Sequence, residues 1–176
     1  MPELARSLVE AYVYLDLVAQ GGSGRATVAR EPEGLLVRLG DVEILVPYEA
    51  EAAARESGLT YGSGLSELID PGQWTLIAAT YASRALEGGL FYAADPDPER
   101  FDDVATGWRF AADAVAEALK FFPPGAADLP PGAFWSDLGR SVRESEPGRI
   151  TRARLEDDLA FYRQSLDDFL RLHTAS

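Results

Sequence analysis

The apolar pattern changes character about a quarter of the way along the chain. Up to Pro47 the apolar residues come in short runs separated by glycine and acidic turns. Beyond it they recur every three or four positions. The first pattern predicts strands and the second predicts amphipathic helices. Residues 3–11 read as a short helix. The aromatic and β-branched run Tyr12-Val13-Tyr14-Leu15-Asp16-Leu17-Val18 reads as a strand, broken by Gly21-Gly22-Ser23-Gly24. Further strands are predicted over 26–30, 35–39 and 42–46. They are joined by the turn Glu31-Pro32-Glu33-Gly34 and by Gly40-Asp41, and stopped by Pro47.

The helical part opens with an alanine-rich segment over 49–56 and a loop carrying Tyr61. Asp70-Pro71-Gly72-Gln73 is a helix start, with Asp at the cap and Pro at the first turn. Its stripe is Trp74, Ile77, Ala78, Tyr81 and Ala85, and Gly88-Gly89 predicts its end. Asp97-Pro98 opens a longer helix with the stripe Phe101, Val104, Trp108, Ala111, Val115, Ala118 and Phe122. Pro123-Pro124 stops it. After a proline-rich connector over 123–132, a short helix is predicted over 133–144 and a last one over 151–172. The fold class is therefore α+β: a small N-terminal antiparallel β-meander packed against a C-terminal bundle of three to four helices. The expected organisation is a single domain over 1–176, with a β-meander subregion at 1–47 and a helical subregion at 48–176. Trp74, Trp108 and Trp135 sit on apolar stripes and are expected in the core. Tyr48 and Tyr61, in loops, are candidates to line a groove.

The chain has 176 residues, no cysteine and one histidine, His173. Thiolate metal sites, disulfides and cysteine nucleophiles are excluded, and no cofactor is expected. His173 lies near the C-terminus, where a frayed end and a favourable helix dipole are its expected surroundings. Gly21-Gly24 follows an apparent strand but lacks the lysine of a phosphate loop and opens no helix, so a hairpin loop is expected. The net charge of −13, from 29 acids against 16 bases, disfavours nucleic acid and anionic membranes as partners. No apolar run is long enough to span a bilayer and no secretory leader follows Met1, which points to the cytoplasm.

Charge is unevenly spread. Glu87 to Asp103 holds six acids and one arginine, and Arg140 to Arg154 holds five arginines and two acids. The acidic run Asp95, Asp97, Glu99, Asp102 and Asp103 is the candidate contact for a basic protein partner, since negative density speeds capture of a cationic surface. It lacks the glycine and the closing glutamate of a calcium loop. Asp157 and Asp168 share a face of the last helix, yet the Glu-x-x-His pairs of a two-metal bundle are missing. The expectation is a non-enzymatic protein–protein interaction module, of the kind an immunity-like inhibitor or accessory protein would be. The alternative is a small-molecule-binding protein or hydrolase with a carboxylate site in the helical half.

Four segments carry a resemblance: Glu10 to Leu17, Leu65 to Trp74, Leu119 to Ala126, and Phe134-Trp135-Ser136 through Glu146-Pro147-Gly148-Arg149. Together they resemble a group of uncharacterised proteins from GC-rich bacteria. That group bears paired cysteines near the positions of Gly21-Gly24 and Gly40-Asp41, like a zinc-ribbon hairpin. The resemblance implies a ribbon-like sheet beside helices. It implies no metal here, because this sequence has no cysteine at those positions.

Overall fold

A computed structural model describes residues 1–174. The chain divides into two compact units, Met1–Asp70 and Pro71–Ser176. The first holds a four-stranded mixed sheet and two helices, and the second is helical.

In the first unit the strands are β1 (Glu3–Leu4), β2 (Thr27–Arg30), β3 (Gly34–Leu39) and β4 (Val42–Pro47). Their order is β1-β4-β3-β2. The β2-β3-β4 portion is the expected antiparallel meander, with Val37 opposite Ile44 and Leu35 opposite Val46. β1 adds in parallel against β4. One face buries Val37, Ile44 and Val46, and every residue of the edge strand β2 is exposed.

The run Tyr12–Val18 is not a strand. It belongs to helix α1 (Leu8–Val18), and residues 3–7 supply β1 and the helix cap instead of a helix. Local chemistry overrides β-propensity here. Ser7 stands in extended conformation and its Oγ accepts from Glu10 N–H at 3.0 Å. Glu10, three residues on, is fully buried and accepts from Arg6 N–H and Arg6 Nε, both at 2.9 Å. Arg6 Nη1 also donates to Gly64 O at 2.7 Å, and Ser7 Oγ donates to Tyr61 O at 2.7 Å. The start of α1 is thus tied to the 58–64 loop. Gly62 is required in that loop: its φ is +138° and a Cβ there would lie 2.4 Å from Arg6 Cβ. Tyr61 is consequently buried at 1% exposure, not groove-lining. Tyr48, the first residue of α2 (Tyr48–Glu56), is exposed, and its hydroxyl donates to Glu31 O at 2.7 Å. Tyr14 has its pKa raised by burial and by the Glu3 carboxylate beside it. Gly21-Gly24 is not a hairpin loop: because Tyr12–Val18 is helical, the segment joins α1 to β2 through a short 3₁₀ turn (Gly22–Arg25), and Gly22 sits so close under Leu39 that a Cβ would lie 2.8 Å from Leu39 Cδ2.

In the second unit the helices are α3 (Pro71–Ala94), α4 (Pro98–Leu119), α5 (Asp137–Ser145) and α6 (Arg152–Thr174). α4 packs on both α3 and α6, and α5 packs on α3. Two glycines set the closest approach of α3 to α5: a Cβ on Gly72 would lie 2.6 Å from Gly139 Cα. α3 does not end at Gly88-Gly89 but runs five residues further. Gly88 faces Val104 of α4, where a Cβ would lie 2.9 Å from Val104 Cγ2, so the glycine serves helix packing and not termination. Trp74 and Trp108 are buried as expected, but Trp135 is 44% exposed. It lies before α5, in the segment that Ser136 caps, and leans on Phe121 with ring centroids 5.9 Å apart.

The connector after α4 is held by Arg152. Its guanidinium lies over the Phe122 ring at 5.2 Å and donates to Ala126 O at 2.7 Å and Pro123 O at 2.9 Å. Thr151 Oγ1 accepts from Arg154 N–H at 3.2 Å and starts α6.

The glycines separate two expectations. Gly72→Ala would drive a methyl into the α5 backbone and should destabilise by about 2 kcal/mol or more, since neither helix can yield locally. Gly89→Ala meets nothing within 4 Å and should stabilise by about 0.5–1 kcal/mol through helix propensity. Chemical denaturation of both variants checks this; equal effects would contradict the packing.

Candidate functional site

The acidic run falls at the junction of α3 and α4. Asp97 caps α4: it is extended at φ −135° and its Oδ1 accepts from Glu99 N–H at 3.0 Å, with Pro98 beginning the helix. All five acids, Asp95, Asp97, Glu99, Asp102 and Asp103, are exposed. Among the described residues only Asp95 has an ion pair, with Arg100 at 3.7 Å.

Behind the cap lies an aromatic cluster contributed by three helices. Tyr92 of α3 meets Phe101 of α4 at 5.7 Å, Phe169 of α6 at 5.6 Å and His173 of α6 at 4.8 Å, measured between ring centroids. Phe169 is buried and lies 5.1 Å from Phe101. The cluster is continuous with Ala85, Val104 and Trp108. His173 therefore meets Tyr92 edge-to-face and lies tilted against Phe169, although the residue is exposed. Its position near the chain end concealed this. The signal available was its spacing: it follows Phe169 by four residues on the face that also carries Tyr162 and Leu166.

An open groove of about 440 Å³ runs over this end, and Tyr92, Phe101, His173, Asp97 and Asp102 are among its lining residues. Asp103 instead lines a neighbouring groove of about 430 Å³ with Tyr81, Arg84 and Arg100. The five acids are thus divided: two border the aromatic groove, one borders the neighbouring groove, Asp95 pairs with Arg100, and Glu99 projects from the first turn of α4.

No family model, curated protein or solved structure matches this chain.

The arginine-rich segment does not neutralise the acidic run. Arg140 pairs with Asp137, Arg149 with Glu146 at 3.7 Å, Arg152 with Glu156 at 3.9 Å and Arg154 with Asp158 at 3.0 Å. Arg143 lies over the Phe134 ring at 5.6 Å. On α6, Tyr162 has its pKa raised by burial, with the Asp158 carboxylate adding to the effect. Asp168 pairs with Arg171 as an ordinary helix-surface pair, and Asp157 is exposed. Among the described residues no three His, Asp or Glu side chains converge as a metal-binding group. Among the described residues no helix is long and apolar enough to cross a membrane.

The cap at Asp97 has a measurable weight. Asp97→Ala should lower stability by about 1 kcal/mol, while Asp97→Asn, which also caps, should stay within a few tenths. Thermal or denaturant unfolding of the two variants decides; equal losses would mean that Asp97 acts through charge and not through its cap.

Proposed function

We propose that this chain is a non-enzymatic, cytoplasmic interaction module that captures a basic protein partner through the acidic run at the start of α4, as an immunity-like inhibitor or accessory protein would. The observation that carries this reading is the state of the five acids. They are exposed on a capped helix start, and four of them lack an ion pair among the described residues. Within the fold only the Asp95–Arg100 pair and the Asp97 cap offset their mutual repulsion, and a cationic surface would relieve the rest.

A second feature agrees. On the C-terminal half of α3, Leu86 and Leu90 share a face, with Phe91 beside them, and they are 61%, 70% and 57% exposed. An apolar strip flanked by Glu87 and Asp95 has the make-up of a docking surface with a charged rim. The alternative of a carboxylate hydrolase draws less support. General acid–base chemistry wants a carboxyl sheltered from water beside a substrate pocket, whereas Asp97 and Asp102 are both exposed and line an open groove.

The test is kinetic, with a fluorescent nine-arginine peptide as probe in stopped flow. Asp95→Asn, Asp97→Asn, Glu99→Gln, Asp102→Asn and Asp103→Asn together should lower the association rate about tenfold at low salt. Rising salt should erase most of that difference, because exposed charges are screened over about 8 Å at physiological ionic strength. Five neutralisations elsewhere (Glu49, Glu56, Glu144, Asp157 and Asp167) match the charge change and should have a much smaller effect. Equal slowing by both sets would show that only net charge matters and would remove the docking reading.

A further inference from the structure

We infer that the groove between the α4 cap and the last turn of α6 is a receptor for one arginine side chain of the basic partner. The inference rests on the docking reading above and sharpens it to a single residue contact.

Three observations converge on a planar cation. The first is the lining. Tyr92 and Phe101 supply aromatic surface, and an aromatic face attracts a cation while stacking well with a flat guanidinium. These rings are braced from behind by buried Phe169, at 5.6 Å from Tyr92 and 5.1 Å from Phe101, so the surface is formed before anything binds.

The second is the pair of lining acids, Asp97 and Asp102. Asp102 makes no hydrogen bond or ion pair among the described residues, and Asp97 spends Oδ1 on its own helix cap and keeps Oδ2. A carboxylate with both oxygens available is the natural bidentate partner of a guanidinium. Asp97 is the weaker candidate for that role because it is already committed to the cap.

The third is the arrangement of helix ends. Tyr92 lies in the last turn of α3, and His173 and Thr174 lie in the last turn of α6. Both are negative ends of helix dipoles. The one positive end present, the start of α4, is covered by the Asp97 carboxylate. The backbone and the side chains therefore favour a cation together. At about 440 Å³ the groove is roomy enough for a guanidinium with part of its aliphatic stem. The neighbouring groove, which contains Arg84 and Arg100, has the wrong charge for the same guest.

The experiment uses the full chain and side-chain analogues. N-acetylarginine methylamide, N-acetyllysine methylamide and the neutral isostere N-acetylcitrulline methylamide are each titrated while aromatic signals are followed by NMR. The arginine analogue should shift Tyr92, Phe101 and His173 saturably, with the lysine analogue several-fold weaker and the citrulline analogue without effect. Asp102→Asn, an exposed substitution that leaves the fold unchanged, should weaken the arginine analogue about fivefold. Asp157→Asn, on the outer face of α6, should leave it unchanged. Non-saturating shifts, equal response to citrulline, or indifference to Asp102→Asn would overturn the groove while leaving the acid-dependent association rate standing. Lysine binding as tightly as arginine would overturn the guanidinium assignment. Saturable arginine binding alongside an association rate that ignores the acidic run would overturn the protein partner as the source of the cation.

Discussion

The close approach of α3 and α4 is the constraint on which the helical unit depends. Gly107 of α4 lies against Ala85 of α3 so tightly that a Cβ would stand 3.1 Å from the alanine methyl, and Gly88 of α3 lies under Val104 of α4. Small residues at both contacts let the two backbones come together. Two glycines in helix interiors cost about 1 kcal/mol each in propensity. Burial of Trp108, Val104 and Phe169 around the same seam is large enough to offset that. With the seam closed, Tyr92 and Phe101 sit across from one another and α6 lays Phe169 and His173 beside them. The cap at Asp97 then fixes where the acidic run leaves the cluster.

The sheet unit is held by a different device. A fully buried carboxylate, Glu10, is matched by Arg6 and by a backbone N–H, and the same arginine reaches Gly64. A buried ion pair of this kind contributes little net stability when complete and costs several kcal/mol when one partner is lost. Its contribution is positional: it fixes how the 58–64 loop meets α1. The two units thus show opposite solutions, small apolar residues at a seam in one and a satisfied charge pair at a helix start in the other.

How much of this was legible depended on whether the signal was local. Asp97-Pro98 and Asp70-Pro71 carry helix starts in adjacent residues, and α4 and α3 begin there. The turn at 31–34 is equally local, and Glu31 N–H does donate to Gly34 O at 2.9 Å. Tyr12-Val13-Tyr14 misled because β-branched and aromatic composition competes with a cap five residues upstream. Ser7-x-x-Glu10 was the available sign. Gly88-Gly89 misled because a glycine needed for interhelical contact and one that ends a helix look alike in one dimension. Trp135 misled because its neighbours Phe134 and Leu138 form only a partial stripe, of which Phe134 is buried and Leu138 exposed. For the candidate site, the acidic run could be read directly. The aromatic cluster behind it could not, since Tyr92, Phe101 and His173 come from three separate helices.

A preformed aromatic end, assembled from α3, α4 and α6, carries the acidic run. Through-space NMR contacts in the unliganded protein test it most directly. Cross-peaks are expected from the Tyr92 ring to both His173 and Phe169 and from Phe101 to Phe169, with His173 displaced by ring currents from its free position. A His173 at its free chemical shift, with no cross-peak to Tyr92, would contradict it.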